Sequence, residues 1–333
     1  MNILLTGGAG YIGSHTAVVL IEAGHRVALF DNLVNSSADV VDRVAQITGA
    51  KPAFIQADVR ETAALVKTLR DFSIDAVVHF AGLKAVGESV EMPIDYYACN
   101  VQGTISLLEA MRETACKTLV FSSSATVYGE PHYLPLDEAH PLSVTNPYGR
   151  CKLHIEEMLR DVAIADPTWN IACLRYFNPV GAHASGLIGE NPAGIPNNLM
   201  PYIARVAAGQ LRELQVFGDD YPTPDGSGVR DYIHVMDLAE GHAAALNWLV
   251  AHSGWHAVNL GTGRGYSVLE MVAAFVRASG RAVPYRIAPR RPGDVAACYA
   301  NPEKAARVLE WQAGRSLEEM CASTWKFQQG LLP

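Results

Sequence analysis

The sequence predicts an α/β fold: a doubly wound parallel sheet with a smaller mixed α/β lobe attached. Three observations carry this. Short apolar runs alternate with helical patterns through the first half, a glycine-rich loop joins the first strand to the first helix, and the texture changes after Arg175. Strands that alternate with helices build right-handed βαβ units, whose sheet is parallel and covered on both faces.

In order, the expected strands are Ile3–Thr6, Arg26–Phe30, Ala53–Gln56, Ala76–Phe80, Thr118–Ser122 and Ile171–Arg175. Helices are expected to start near Tyr11, Glu61, Pro93 and Pro147. The stretch from Asn178 to Asn198 is rich in proline and glycine and has little periodicity, and a second irregular stretch spans Gly218 to Arg230. Loops this long inside a compact chain usually serve function. Helical patterns return at Val235–Val250, Val268–Ser279 and Pro302–Leu309. Sheets of this kind bind ligands beyond the carboxyl ends of their strands, so the chemistry is expected there.

Bulk properties exclude several function classes. The net charge of −8 over 333 residues argues against a nucleic-acid surface. No apolar run is long enough for a membrane span, and no basic leader precedes the first strand, so a cytoplasmic location is expected. The six cysteines include no C-x-x-C pair and read as free thiols. His252 and His256 have H-x-x-x-H spacing, but Gly254 lies between them and no glutamate follows His252, so no metal site is expected.

The loop Gly7-Gly8-Ala9-Gly10-Tyr11-Ile12-Gly13 follows a strand and opens a helix. Gly7, Gly10 and Gly13 allow a tight turn and close approach to a pyrophosphate, while the helix N-terminus offers free N–H groups. A plain tight turn would need the same glycines. Asp31 ends the second strand eighteen positions after Gly13. It can accept from a ribose diol and would repel a 2′-phosphate, which favours NAD over NADP. The sheet is therefore expected to be Rossmann-type. Asp58, after the third strand, faces the adenine or acts as an N-cap.

Asn146-Pro147 reads as a helix start, and Tyr148 and Lys152 follow at i and i+4 on one face. A free tyrosine ionises near pH ~10, and lowering that by about 3 units requires roughly 4 kcal/mol. A lysine ammonium about 4 Å away supplies about 4 kcal/mol at an effective dielectric of 20. A positive nicotinamide ring would add to it. Ser124, at the end of the run Phe121-Ser122-Ser123-Ser124, can share a substrate hydroxyl proton with Tyr148.

These segments resemble the extended short-chain dehydrogenases. His79-Phe80-Ala81-Gly82-Leu83-Lys84, Leu174–Ala182, Gly194–Tyr202, Gly228–Val235 and Ala288–Asp294 are similar to UDP-galactose 4-epimerases. The resemblance implies a catalytic set of Tyr148, Lys152 and Ser124. It implies a cofactor set of Tyr11, Ile12, Asn32, Asn35, Ser36, Val59, Phe80, Ala81, Gly82, Lys84 and Phe177 beside the residues above. It places Asn178, Asn198, Leu199, Phe217, Arg230, Tyr232, Arg291 and Asp294 on a UDP-hexose, with Lys84 and Ser124 also reaching substrate. Arg230 in an ion pair with Asp231 or Asp225 is the competing reading. The implied division is an NAD-binding domain over 1–177 and a mainly UDP-sugar-binding lobe over 178–333, some segments of which return to the first domain. A homodimer through helices near 93–114 and 147–163 is implied as well.

Two positions depart from the pattern. Cys99 stands where the bacterial epimerases carry an asparagine that contacts NAD, although Asn100 beside it matches. Cys298 stands where some members carry tyrosine. A bulky residue there blocks a 2-N-acetyl group, so the small Cys298 implies that UDP-GlcNAc and UDP-GalNAc are also accepted. Competing readings are a 4,6-dehydratase, a decarboxylase and a non-catalytic NAD-sensing regulator. Dehydration needs an additional Asp-Glu pair after the active-site hydroxyl, and here Ala125-Thr126 follow Ser124.

Overall fold

A computed structural model describes residues 1–332 except 193, 195 and 292. Thirteen strands occur among these residues. They are β1 (Asn2–Thr6), β2 (Arg26–Asp31), β3 (Ala53–Gln56), β4 (Ala76–His79), β5 (Thr118–Ser124), β6 (Asn170–Tyr176), β7 (Asn178–Val180), β8 (Leu214–Phe217), β9 (Val229–His234), β10 (Gly254–Leu260), β11 (Gly265–Ser267), β12 (Tyr285–Ala288) and β13 (Ala297–Cys298). The α-helices are α1 (Tyr11–Glu22), α2 (Asp39–Thr48), α3 (Thr62–Asp71), α4 (Val86–Glu91), α5 (Pro93–Tyr96), α6 (Gly103–Glu113), α7 (Pro147–Ala165), α8 (Leu199–Ala207), α9 (Val235–Leu249), α10 (Val268–Ser279), α11 (Glu303–Val308) and α12 (Leu317–Gly330).

Seven strands form one parallel sheet in the order β10-β6-β5-β4-β1-β2-β3. The expected doubly wound sheet is therefore present. The chain order reverses between β1 and β4, which makes the crevice beyond Thr6 and His79 the natural ligand position. The inner strands are apolar on both sides: Ile3, Leu4, Leu5, Ala76, Val77 and Val78 are fully buried. Side chains of α1, α2 and α9 cover one face, and those of α3, α6 and α7 the other.

The second lobe has its own core, built from α8, α10 and α12 against β8 and β9. In it β9 pairs with β11, β13 and β7, and β8 pairs with β12. Asp231 of β9 is fully buried and holds this lobe's loops to the strand. Its carboxylate accepts from the backbone N–H groups of Thr262, Gly263 and Ala300 and from the Thr262 hydroxyl, at 2.7–3.1 Å. Ala300 lies two residues beyond Cys298, so this one carboxylate also fixes the end of β13.

The structure differs from the sequence reading in several elements. β5 continues through Ser124 instead of ending at Ser122, and β4 stops at His79. The helix expected from Pro93 is broken: four residues of α5 pass into a π-helical turn over Tyr97–Gln102 before α6 begins. A π turn leaves no periodic mark in a sequence. The strand β10 (GWHAVNL) went unread because its buried half is only four residues long and its start carries glycine, tryptophan and histidine. Helices α2 and α12 were also unread. Among the described residues no helix is long and apolar enough to cross a membrane.

Replacing Asp231 by asparagine would turn an acceptor-only group into one that points N–H donors at N–H donors. We expect a loss of about 3 kcal/mol of stability, read from urea unfolding midpoints.

Candidate active site

The glycine loop closes over the end of β1. Gly7 has φ +67°, and a Cβ there would lie 2.7 Å from the backbone nitrogen of Ala81. A Cβ on Gly13 would lie 2.5 Å from the Gly7 carbonyl oxygen. The loop and the first turn of α1 thus pack backbone to backbone. No side chain caps the N-terminus of α1 and no acidic residue sits in its first turn, so its N–H groups suit an anion. Tyr11 points away and donates to the Gly181 carbonyl at 2.7 Å, tying the loop to the second lobe. Ile12 packs against the core.

Asp31 lies where expected, at the end of β2, and is nearly buried. It accepts from the backbone N–H of Ala9 (3.0 Å) and Leu33 (2.9 Å) and from the Ser36 hydroxyl (2.8 Å). The acid therefore also braces the glycine loop. Asn32 and Asn35 are exposed beside it. Asp58 accepts from Asn32 and, through both oxygens, from Arg60. Those hydrogen bonds, with Arg60 contributing most, hold its carboxyl well below the usual range. Val59 is buried in the core.

Behind the switch point lies a buried relay that the sequence reading missed. The Thr104 hydroxyl donates to the Asn100 carbonyl at 2.7 Å. Its one proton is thereby used, so it accepts from Nε2 of His79 at 2.9 Å. Nδ1 of His79 then accepts from the Thr6 hydroxyl at 2.6 Å. Burial, and secondarily Lys152, push the His79 pKa down to about 3, so the ring is neutral. The Asn100 side chain bonds both backbone groups of Leu83, at 2.8 and 3.0 Å, and fixes the loop carrying Phe80, Ala81 and Gly82. Cys99, its neighbour in the π turn, is a half-buried thiol whose pKa burial raises.

Tyr148, Lys152 and Ser124 meet at the end of β5. The Asn146 side chain caps α7 by accepting from Gly149 N–H at 2.9 Å, with Pro147 in the first turn as expected. Lys152 is buried and donates to the Ser122 carbonyl at 2.7 Å. Its nitrogen lies 5.8 Å from the centre of the Tyr148 ring. Burial lowers the Lys152 pKa to about 8. Burial also raises the Tyr148 pKa to about 12, against a hydrogen bond from Ser124 that lowers it. Desolvation of the phenolate dominates here, so the expected base needs the positive cofactor ring as well as the lysine.

The expected substrate residues form two groups. Phe217, Arg230, Arg291 and Asp294 converge: the Arg291 guanidinium lies 4.7 Å over the Phe217 ring and donates to Asp294 at 3.0 Å, and Arg230 lies 4.0 Å from Asp294. The ion-pair partner of Arg230 is Asp294, neither Asp231 nor Asp225. Tyr232 is buried in the second core, where Arg230 and Arg291 are near enough to act on its hydroxyl. The other group is at Glu190, which the sequence reading also missed. One oxygen of this nearly buried carboxylate accepts from both Lys84 (3.0 Å) and Asn198 (2.6 Å). Leu199 follows as the first residue of α8. Asn178 is exposed on β7, and Phe177 is buried with Val127 and Tyr128, against which Cys298 packs. Two of the resembling segments, 194–202 and 288–294, include residues outside the described set.

The model of the GDP-mannose 4,6 dehydratase family matches residues 4–324. The UDP-glucose 4-epimerase of Bacillus subtilis is 58% identical over 328 residues, 98% of this chain and 97% of that protein. The chain belongs to the UDP-glucose 4-epimerases. A Stenotrophomonas maltophila member solved with NAD and formylated UDP-arabinopyranose is 53% identical, with a TM-score of 0.98, covering 99% of this chain and 98% of that one. A Bifidobacterium longum member solved with NAD+ and UDP is 52% identical, with a TM-score of 0.97 and 99% coverage of both chains. The dehydratase match extends the shared architecture beyond epimerases. In this epimerase family member, however, Ala125 and Thr126 follow Ser124, and neither supplies the acid that loss of water requires.

The residues fit NAD: a backbone-packed glycine cradle, an uncapped helix N-terminus and an acid at the ribose distance. Gly13→Ala should push the loop apart, and we expect the purified protein to lose its NAD, measured by acid extraction, while keeping its circular dichroism spectrum.

Proposed function

We infer that the chain interconverts UDP-glucose and UDP-galactose at C4, with NAD kept through each cycle. The observation that carries this reading is the convergence of Tyr148, Lys152 and Ser124 at the end of β5, two strands from the glycine cradle, within a chain of this family. NAD supplies the redox chemistry when bound, taking hydride from C4 of the sugar and returning it to the opposite face of the 4-keto sugar. Tyr148 takes the proton from the 4-hydroxyl as hydride leaves, and returns it at the end. Ser124 shares that proton and orients the hydroxyl.

Tyr148 works as a base only with positive charge beside it. Bringing a pKa of about 12 to neutrality takes roughly 7 kcal/mol. An ammonium about 6 Å away supplies about 3 kcal/mol at an effective dielectric of 20. The Ser124 hydrogen bond is already part of that balance, so the rest has to come from positive charge on the cofactor ring. Lys152, with a pKa of about 8, is charged at neutral pH and adds its share there.

The nucleotide end is held by Arg230, Arg291 and Asp294: the two guanidinium forks suit the diphosphate, and the Asp294 carboxylate accepts from the ribose hydroxyls. With the nucleotide held, the keto sugar can turn while the base stays in place. Asn178, Asn198 and Leu199 contact the nucleotide sugar, and Lys84 serves the cofactor diphosphate. Cys298 packs against the turn that follows Ser124 and is a neutral thiol, its pKa raised to about 11 by burial. Being small, it leaves room for a 2-N-acetyl group, so UDP-GlcNAc and UDP-GalNAc are substrates too. The exposed apolar side chains of Val90, Met92, Ile94 and Ile105 support pairing of two copies through the helices around α5 and α6.

The first test is conversion of UDP-galactose and UDP-GalNAc, in separate tubes without added NAD, followed by proton NMR. We expect both to convert. No turnover of UDP-galactose, even with NAD supplied, would sink the epimerase reading. Cys298→Tyr should abolish UDP-GalNAc conversion and spare UDP-galactose, and loss of both together would refute the gating role of Cys298.

A further inference from the structure

The stripe on α7 does not end at Lys152. Glu156 follows at the same spacing, so Tyr148, Lys152 and Glu156 occupy one helix face at i, i+4 and i+8. Each addresses a neighbouring residue of β5. Ser124 hydrogen-bonds Tyr148, the Ser122 carbonyl accepts from Lys152, and the Ser123 hydroxyl donates to Glu156. The helix is thus pinned to consecutive residues of one strand.

Glu156 is only 2% exposed, and so is its partner Arg175 on β6. The two carboxylate oxygens accept from Arg175 Nε at 3.0 Å and Nη2 at 2.6 Å. Arg175 stands directly beside Ser123 in the β5–β6 pairing and directly beside Asn259 in the β6–β10 pairing. Ser123, Arg175 and Asn259 are therefore one polar row across three adjacent strands, all of them buried. The row continues toward the sugar side. Arg175 donates to the Tyr128 hydroxyl at 3.1 Å, and Tyr128 donates to Asn259 at 2.6 Å. Asn259 donates to the Leu136 carbonyl at 2.9 Å, and Leu136 pairs with Tyr299, the residue after Cys298.

Stability gives little reason to keep such a pair, since apolar side chains of similar volume often replace a buried ion pair without loss. We propose that Glu156 and Arg175 are positioning residues for the reaction: they set the height of α7 on β5, and with it the Tyr148–Ser124 contact, and they transmit that setting to the strand bearing Cys298. The proposal rests on the epimerase reading above. A misplacement of about 1 Å at reacting groups can slow a reaction about 100-fold, so a small slide of α7 is enough to matter.

The test uses NAD-loaded protein assayed on UDP-galactose: parent, Glu156→Met with Arg175→Met, and the milder Ser123→Ala. A parent without turnover would overturn the epimerase reading itself and is distinguishable at once. With an active parent, we expect the double variant to keep its NAD content and melting temperature while kcat falls about 10- to 100-fold and KM changes little. The lower limb of its pH–rate profile should move to higher pH, because Tyr148 sits less well against Lys152. Glu156 itself raises the Lys152 pKa, so Ser123→Ala, which keeps both charges, separates a change of position from loss of that charge; the other groups facing the pair, Ser124 on β5, His79 on β4, Tyr176 on β6, Tyr96 on α5, Cys99 on the π turn and Cys151 on α7, are not altered. Ser123→Ala, which buries no charge, should show a smaller fall in kcat in the same direction. A folded double variant with the parent's kcat and pH limb would overturn the proposal. Should the double variant not fold, parental kcat and pH limb in Ser123→Ala would do the same.

Discussion

An ammonium taken out of water must find hydrogen-bond acceptors or lose its proton, and Lys152 is only 5% exposed. That constraint organises the catalytic side of the molecule. The acceptor is the Ser122 carbonyl, available because β5 runs to the very edge of the sheet before the chain turns away. Fixing Lys152 there fixes the rotation of α7, and that rotation aims Tyr148 at Ser124. The same helix face must then bury Glu156 one turn further on, and Arg175 answers it from β6. A single stripe at helical spacing thus forces three polar contacts on two strands.

The cofactor side obeys a different rule. There the backbone does the work, because approach to a diphosphate needs space rather than functional groups. Glycine at positions 7 and 13 supplies the space, and Asp31 holds the loop by accepting from Ala9 while it faces the expected ribose position. Beneath it, the relay Thr6–His79–Thr104 pairs both nitrogens of a neutral His79 ring. A charged His79 would compete with Lys152 for the role of local cation, and burial prevents that.

What was legible in the sequence was whatever depends on local spacing. The six strands of the first half, the α1 and α7 starts, the glycine loop and the Tyr148–Lys152 pair all follow from short apolar runs, the 3.6-residue period, turn-forming glycines and capping chemistry. What was not legible depends on partners far apart in the chain. Strand β10 is a strand because β6 offers it an edge. The π turn at Tyr97–Gln102 places Asn100 against Leu83, which no local pattern signals. Glu190 gains its place only when Lys84 and Asn198 arrive from positions 106 residues before it and eight after it. Glu156 was within reach, since it continues the Tyr148–Lys152 spacing, but its partner on β6 is set by sheet register alone.

The raised pKa of Tyr148 is best read as part of the mechanism. A phenolate present at all times would bind protons or stray cations and would hold the site in a charged state that its apolar walls disfavour. With burial pushing the phenol up to about 12, the residue is a base only while cationic charge stands next to it. Were bound NAD to lose its positive charge on taking hydride, Tyr148 would hold its proton more firmly in the same step. The return step reverses both together. Proton and hydride are thereby coupled through one buried oxygen, and the coupling is as strong as the site is dry. The buried Lys152, the fixed α7 and the close-packed turn after Ser124 all serve that dryness, which is why the polar row behind them has to be completely paired.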